Sequence, residues 1–176
     1  MISISELLQS AVDLATNSLL TKTRNISIHL DDSVKLTEAS AFCSNLLKQH
    51  LYSILNNAVQ SIEERMASRP SPGVISVSVS AEIPPDTEEV LLNEYWVIKI
   101  RDNGSGVSSE QLTKLNRFEP GIRFRKGIGH GHGLTAAQRY MASLGGRVTL
   151  YSELGKYFEV ALYLRKSEPG EKRPEG

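Results

Sequence analysis

The 176-residue chain holds a single cysteine, Cys43. An internal disulfide is therefore excluded, and no thiolate metal site is suggested. Set among apolar and small residues, Cys43 reads as core rather than nucleophile. There is no surplus of charge: 20 Lys plus Arg stand against 20 Asp plus Glu. Nothing global steers the chain to nucleic acid or to an anionic membrane. No apolar run is long enough to span a bilayer. The first residues lack the basic-then-apolar order of a signal peptide. The expectation is a soluble, cytoplasmic protein with no nucleic-acid partner and no direct membrane contact. Internal repeats are absent, and so is any Gly-Lys-Ser or Gly-Lys-Thr, which excludes a P-loop. The length suits one domain with a core of its own. That domain is expected over residues 1–165, with a flexible charged tail at 166–176.

What is present centres on residues 95–134. Trp96, Ile98 and Ile100 alternate with Tyr95, Val97, Lys99 and Arg101, the period of a half-buried strand. Asp102 shares the parity of the apolar set. Its carboxylate is expected on the core side, where a bare charge is costly unless something polar meets it. Gly104 and Gly106 follow and let a ligand approach the backbone. A buried acceptor beside two glycines suits a planar donor such as an adenine amino group. The same Asp-Asn-Gly also suits an ordinary hairpin turn.

In chain order, Ile4, Leu7, Leu8, Ala11, Val12, Ala15 and Leu19 predict a helix to about Leu20, opened by a Ser3/Glu6 capping box. Asn25 to Leu30 predicts a short strand with His29 solvated, and Val34 to Leu36 a second one. A long helix is expected from about Ala41 to Ala67. Leu47, Leu51, Ile54, Leu55, Ala58 and Ile62 form its apolar arc. Ser53, Asn57, Gln60 and Glu64 form a polar stripe roughly opposite, and Glu63, Glu64 and Arg65 read as solvated. Asn57 is less typical of a solvated face, and its amide oxygen suits Mg²⁺. His50 reads as structural. Residues 69–73 form a turn. Val74 to Ala81 is a strand, and residues 82–94 read as an exposed connection. Ser108 to Leu115 is a short helix. Leu134 to Leu144 is another, closed by Gly145-Gly146. Two strands follow. Val148 and Leu150 lie in the first; Phe158, Val160, Leu162 and Leu164 mark the inner face of the second.

Between the last two helices lies a basic, glycine-rich segment. It carries Arg123, Arg125 and Lys126 among Gly121, Gly127, Gly129, Gly131 and Gly133. Such cations suit a polyphosphate. A helix opening near Gly133 would aim free N–H groups and the positive end of its dipole at it. His130 and His132 allow a metal pair, but no acidic or cysteine partner stands nearby.

Four pieces occur in order: Leu55-Asn-Asn-Ala58, Asp102-Asn-Gly-Ser-Gly106, Phe118-Glu-Pro120 and Gly129-His-Gly-His-Gly-Leu134. Together they resemble the N, G1, F and G2 boxes of the catalytic and ATP-binding domain of sensor histidine kinases. That domain belongs to the wider superfamily of gyrase, heat-shock chaperone, histidine kinase and mismatch-repair ATPases. The resemblance covers about Ile4 to Leu164. It implies an α+β fold: a two-layer sandwich of a mixed, mostly antiparallel sheet on three helices, with ATP between the helices under a lid. It also implies site residues. Asn57 would ligate Mg²⁺, and Asp102 would read the adenine amino group. Gly104 and Gly106 would be the G1 glycines and Phe118 the F-box aromatic. Gly129, Gly131, Gly133 and Leu134 would contact phosphates. Lys126 would be the lid lysine. Gln60, Arg125, His130 and His132 complete the expected cofactor-binding set.

Departures accompany the match. The first N-box asparagine is replaced by Ser53, where the superfamily's hydrolases carry a glutamate as general base. The usual glycine-threonine near the last strand corresponds to Tyr157-Phe158, which removes a hydroxyl from the adenine end. None of His29, His50, His130 and His132 sits in a phosphoacceptor context. The expected function is therefore transfer of the ATP γ-phosphoryl group to a histidine on a separate dimerisation and phosphoacceptor domain, and thence to a response regulator. The chain would be an excised domain of a larger kinase or a stand-alone module. The alternative is a degenerate nucleotide-binding module that regulates without phosphotransfer. A hydrolytic ATPase is disfavoured by Ser53.

Overall fold

The computed structural model describes residues 2–18, 25–31, 40–41, 45–82, 95–118 and 133–166. The strands are β1 (Ile2–Ser3), β2 (Ile26–Leu30), β3 (Ser40–Ala41), β4 (Gly73–Glu82), β5 (Tyr95–Asp102), β6 (Arg147–Glu153) and β7 (Tyr157–Arg165). The helices are α1 (Ile4–Ser18), α2 (Asn45–Ser68), α3 (Ser109–Leu115) and α4 (Gly133–Ser143). The main sheet runs β2-β4-β5-β7-β6. Its β2–β4 pair is parallel and the other three are antiparallel. This is the expected α+β architecture.

The apolar faces meet in one core. α1 gives Ile4, Leu8 and Ala15, α2 gives Leu47, Leu51, Leu55 and Ile62, and α4 gives Met141. The sheet answers with Ile75, Val77, Ile98, Ile100, Leu150, Val160, Leu162 and Leu164. Full burial of one such Leu or Ile contributes about 1.5–3 kcal/mol. α1, α2 and α4 are the three covering helices. α3 buries no residue and stands at the margin, opened by the Ser108/Gln111 capping box. Gly145 N–H donates to Ala142 C=O at 3.0 Å and Gly146 N–H to Met141 C=O at 2.8 Å, so the two glycines close α4 as expected.

The free margin of β6 is occupied by side chains. Asn116 Nδ2 donates to Leu150 C=O at 3.1 Å, and its Oδ1 accepts from Leu150 N–H at 3.0 Å. Gln138 Oε1 on α4 accepts from Val148 N–H at 2.6 Å.

Three expectations are corrected. Ala41 is not the start of the long helix but lies in β3, paired with Ile2 of β1. Two-residue strands carry no periodicity, so only the pairing defines them. Val97 is fully buried, not outward: with Ala161 and Tyr163 it forms a second small cluster on the reverse face, flanked by Tyr95 and Tyr151. Burial pushes the Tyr163 phenol well above its ordinary range. Arg65 is half-buried rather than solvated. Its guanidinium reaches the Ser71 hydroxyl and donates to the carbonyls of Ser71 and Pro72 at 3.0 and 3.1 Å, holding the turn into β4. Cys43, Val34 to Leu36, residues 83–94 and residues 167–176 lie outside the described residues. Among the described residues no helix is long and apolar enough to cross a membrane.

Candidate functional site

Helix α2 runs beneath the end of β5. Its 3.6-residue repeat sets Ser53, Asn57, Ser61 and Glu64 along one side. Asn57 and Gln60 are half-buried, Glu64 is exposed, and Ser61 has no exposed surface.

Asp102 ends β5 and is 3% exposed, on the core side as its parity requires. Its register neighbours are Ile75 on β4 and Phe158 on β7. A carboxylate there needs hydrogen-bond donors. Gly104 N–H supplies one, donating to Asp102 Oδ1 at 2.8 Å. Gly104 itself lies hard against α2. A β-carbon on it would overlap the Ser61 hydroxyl and stand 2.5 Å from Asp102 Oδ1 and 2.7 Å from the Ser61 carbonyl carbon. The contact continues through Ser105. Its N–H donates to Ser61 C=O at 3.2 Å, and its hydroxyl donates to Glu64 Oε2 at 3.3 Å.

No hairpin turn forms at Asn103-Gly104. Asn103 prolongs the ladder instead. Its N–H donates to Val74 C=O at 3.1 Å, and its Oδ1 accepts from Val74 N–H at 2.9 Å. Gly106 has a different task. Its φ is +59°, and a β-carbon would overlap the Glu153 carbonyl oxygen and lie 2.8 Å from that of Tyr157. The close approach that Gly106 permits is to the β6–β7 hairpin. Gly155 N–H donates to Ser105 C=O at 2.7 Å. Val107 N–H donates to Ser152 Oγ at 2.9 Å, and that hydroxyl donates to Tyr157 C=O at 2.8 Å.

Eight residues toward the N-terminus of α2, a second contact forms. Gly133 is the first residue of α4, and a β-carbon there would stand 2.8 Å from Ser53 Oγ and 3.9 Å from Asn57 Nδ2. The opening turn of α4, with its outward N–H groups, thus abuts the side chains of Ser53 and Asn57. Leu134 is half-buried against the main core. Phe118 also packs there, at φ +52°, with its N–H donating to Leu115 C=O at 2.9 Å. Arg125, Lys126, Gly129, His130, Gly131 and His132 lie outside the described residues. His50 stacks on Tyr140 with ring centroids 5.2 Å apart, and burial lowers its pKa. No group of three or more His, Cys, Asp or Glu fit to hold a metal occurs among the described residues.

Ser61 was the residue that sequence reasoning missed. It falls where the polar stripe meets the apolar arc, three residues past Ala58 and seven past Ile54. A hydroxyl among core positions was the available signal.

On the reverse face of the sheet, a shallow cleft of about 240 Å³ is lined by Val74, Ser76, Arg101, Lys156 and Tyr157 among others. The Arg101 guanidinium lies 3.7 Å from the Tyr157 ring centre there. Asp102 also borders this cleft, although it is 3% exposed and its parity is that of the core-facing residues of β5.

Residues 44–168 match the family of histidine kinase-, DNA gyrase B-, and HSP90-like ATPases. The chain is 28% identical over 117 residues, 66% of its length, to Sporulation kinase D of Bacillus subtilis. It has the same identity over the same span to the CAI-1 autoinducer sensor kinase/phosphatase CqsS of Vibrio cholerae. It is 35% identical over 83 residues, 46% of its length, to Sensor protein kinase PmrB of Pseudomonas aeruginosa. These alignments span 20%, 14% and 17% of the respective relatives. The mycobacterial sensor histidine kinase MprB shares the fold, with a TM-score of 0.71 over 94% of this chain and 97% of that one at 16% identity.

Proposed function

The chain belongs to the family of histidine kinase-, DNA gyrase B-, and HSP90-like ATPases, and from that premise we propose that it is the ATP-binding catalytic domain of a sensor histidine kinase. It passes the γ-phosphoryl group of ATP to a histidine on a separate dimerisation domain, which in turn serves a response regulator on the cytoplasmic side. The observation that carries the reading is the buried Asp102 carboxylate, held by Gly104 at the end of β5 and facing α2.

The roles follow from chemistry. Asp102 accepts a hydrogen bond from the adenine 6-amino group, with Gly104 leaving the edge of the base room to approach. Phe118 and Leu134 close the apolar side. The opening N–H groups of α4, with Gly133, face the phosphates. Lys126, Arg125, His130 and His132 and the glycines Gly129 and Gly131 suit them by charge and by backbone N–H groups. Asn57 fits a Mg²⁺ ligand: its amide is half-buried and sits beside the first turn of α4. Mg²⁺ bound there and to the phosphates would neutralise charge that builds on the leaving group. The histidine nitrogen of the partner attacks the γ-phosphorus in line, the bond to the β–γ bridging oxygen breaks, and ADP leaves. Such transfer rests on positioning and electrostatics. Ser53 in place of a general base is compatible with it, because the histidine is itself the nucleophile.

One observation favours a second reading, a nucleotide-binding module without transfer. Phe158 stands beside Asp102 in the register and brings no hydroxyl to the base. The test is incubation of the protein with Mg²⁺ and γ-labelled ATP plus a purified histidine-bearing dimerisation domain. The expected result is acid-labile label on that domain. Saturable binding of a non-hydrolysable analogue without any transfer would select the second reading, and no binding would overturn both.

A further inference from the structure

Ser61 sits on the core side of α2 with no exposed surface. A hydroxyl in that setting must be hydrogen-bonded, and serine has no helix-forming advantage over alanine. Its surroundings show what it is there for. The Ser61 hydroxyl and Asp102 Oδ1 both press against Gly104, where a β-carbon would strike the first and come within 2.5 Å of the second. The Ser61 carbonyl takes the N–H of Ser105, so backbone and side chain hold the same turn. Across the sheet the neighbour of Asp102 is Phe158, whose side chain has nothing to donate. The orienting hydroxyl at this end therefore comes from the helix side.

We infer that Ser61 is a positioning residue for recognition of the base: it fixes the Asp102 carboxylate and the Gly104 peptide in the orientation that reads a 6-amino group. The inference rests on the nucleotide-site reading above and adds its selectivity device. Gly104 is required because any side chain would displace the hydroxyl. Alanine at position 61 would leave the carboxylate buried but less constrained, free to turn from the base.

The experiment titrates the wild type, Ser61→Ala and Ser61→Cys with two Mg²⁺-loaded, non-hydrolysable triphosphates. One carries adenine, the other unsubstituted purine. The wild type is expected to favour adenine by about tenfold or more, the worth of a hydrogen bond to a charged acceptor. Both variants are expected to lose about fivefold of that preference while binding the purine nucleotide within about twofold of wild type. Alanine adds no bulk, and cysteine fills the site but hydrogen-bonds weakly, so neither crowding nor lost packing imitates a loss shared by both; thermal unfolding of each variant checks that it is folded. Equal weakening toward both nucleotides, or an unchanged preference, overturns the inference and leaves the site reading intact. A wild type that binds neither nucleotide, or both equally, overturns the adenine reading and the inference with it.

Discussion

Helix α2 meets two glycines, and the two meetings differ. At Gly104 it presents Ser61, fully buried, against a loop tied to α2 through Ser105 and to the β6–β7 hairpin through Gly155 and Val107. At Gly133 it presents Ser53 and Asn57, both half-buried, against the first turn of α4. The first contact is closed by the buried Ser61 hydroxyl, Asp102 Oδ1 and, behind them, the backbone of α2. The second is closed by side-chain ends that can rotate. In the proposed function the first reads the base and the second faces the phosphates. On that proposal the difference teaches that the base end is held by buried protein contacts, whereas the phosphate end is lined by side chains that can turn. Preorganisation is useful where selectivity is decided.

The largest break comes from Gly104→Val. Its branched side chain would collide with Ser61 and Asp102, and the backbone of α2 cannot yield. A loss of about 3 kcal/mol in stability is expected by urea denaturation, with nucleotide binding abolished. Next is Asp102→Ala. Calorimetry with a non-hydrolysable ATP analogue should show affinity down by roughly 10–100-fold, the range for a hydrogen bond to a charged group. Retention of wild-type affinity would separate Asp102 from the site. Gly133→Ala should be milder. Ser53 can turn its hydroxyl aside, and alanine is the better helix former. Stability should stay within about 1 kcal/mol of wild type and affinity should fall only about threefold, with Ser53→Ala restoring it in the double variant. Equal damage at both glycines would remove the contrast.

The smallest effect concerns pH. Burial lowers the His50 pKa below its ordinary value of 6.5, so the folded state prefers the neutral ring. The unfolded chain binds the extra proton first. The His50 contribution is therefore complete above pH 6.5 and is lost as the pH falls through that value toward the folded pKa. Chemical denaturation between pH 7.5 and 5.5 should show a slope that His50→Phe flattens. An unchanged slope would place the titration elsewhere.

Much of this was legible because alternation and helical repeat are local. The strict pattern from Val74 to Ala81 gave β4, and the parity of Asp102 placed it on the core side before any fold was known. The glycine pair at 145–146 ended α4 for a reason visible in two letters. Other features depend on partners distant in sequence. Nothing near Ser61 announces Gly104, which lies 43 positions on. Arg65 looked solvated because the Ser71–Pro72 carbonyls it holds are defined only by the turn. Val97 shared a parity with Lys99 and Arg101, and only the pairing with Tyr163 buried it. The sequence also does not show that Gly106 lies against the carbonyls of the β6–β7 hairpin, which are 47 and 51 positions on.

The amides of Asn116 and Gln138 have one further consequence. An outermost strand with idle peptide groups invites a stranger's strand. Here two side chains imitate that strand at the Val148 N–H and at both peptide groups of Leu150. This border of the sheet is blunt. A strand that docked along it would have to displace these two amides first.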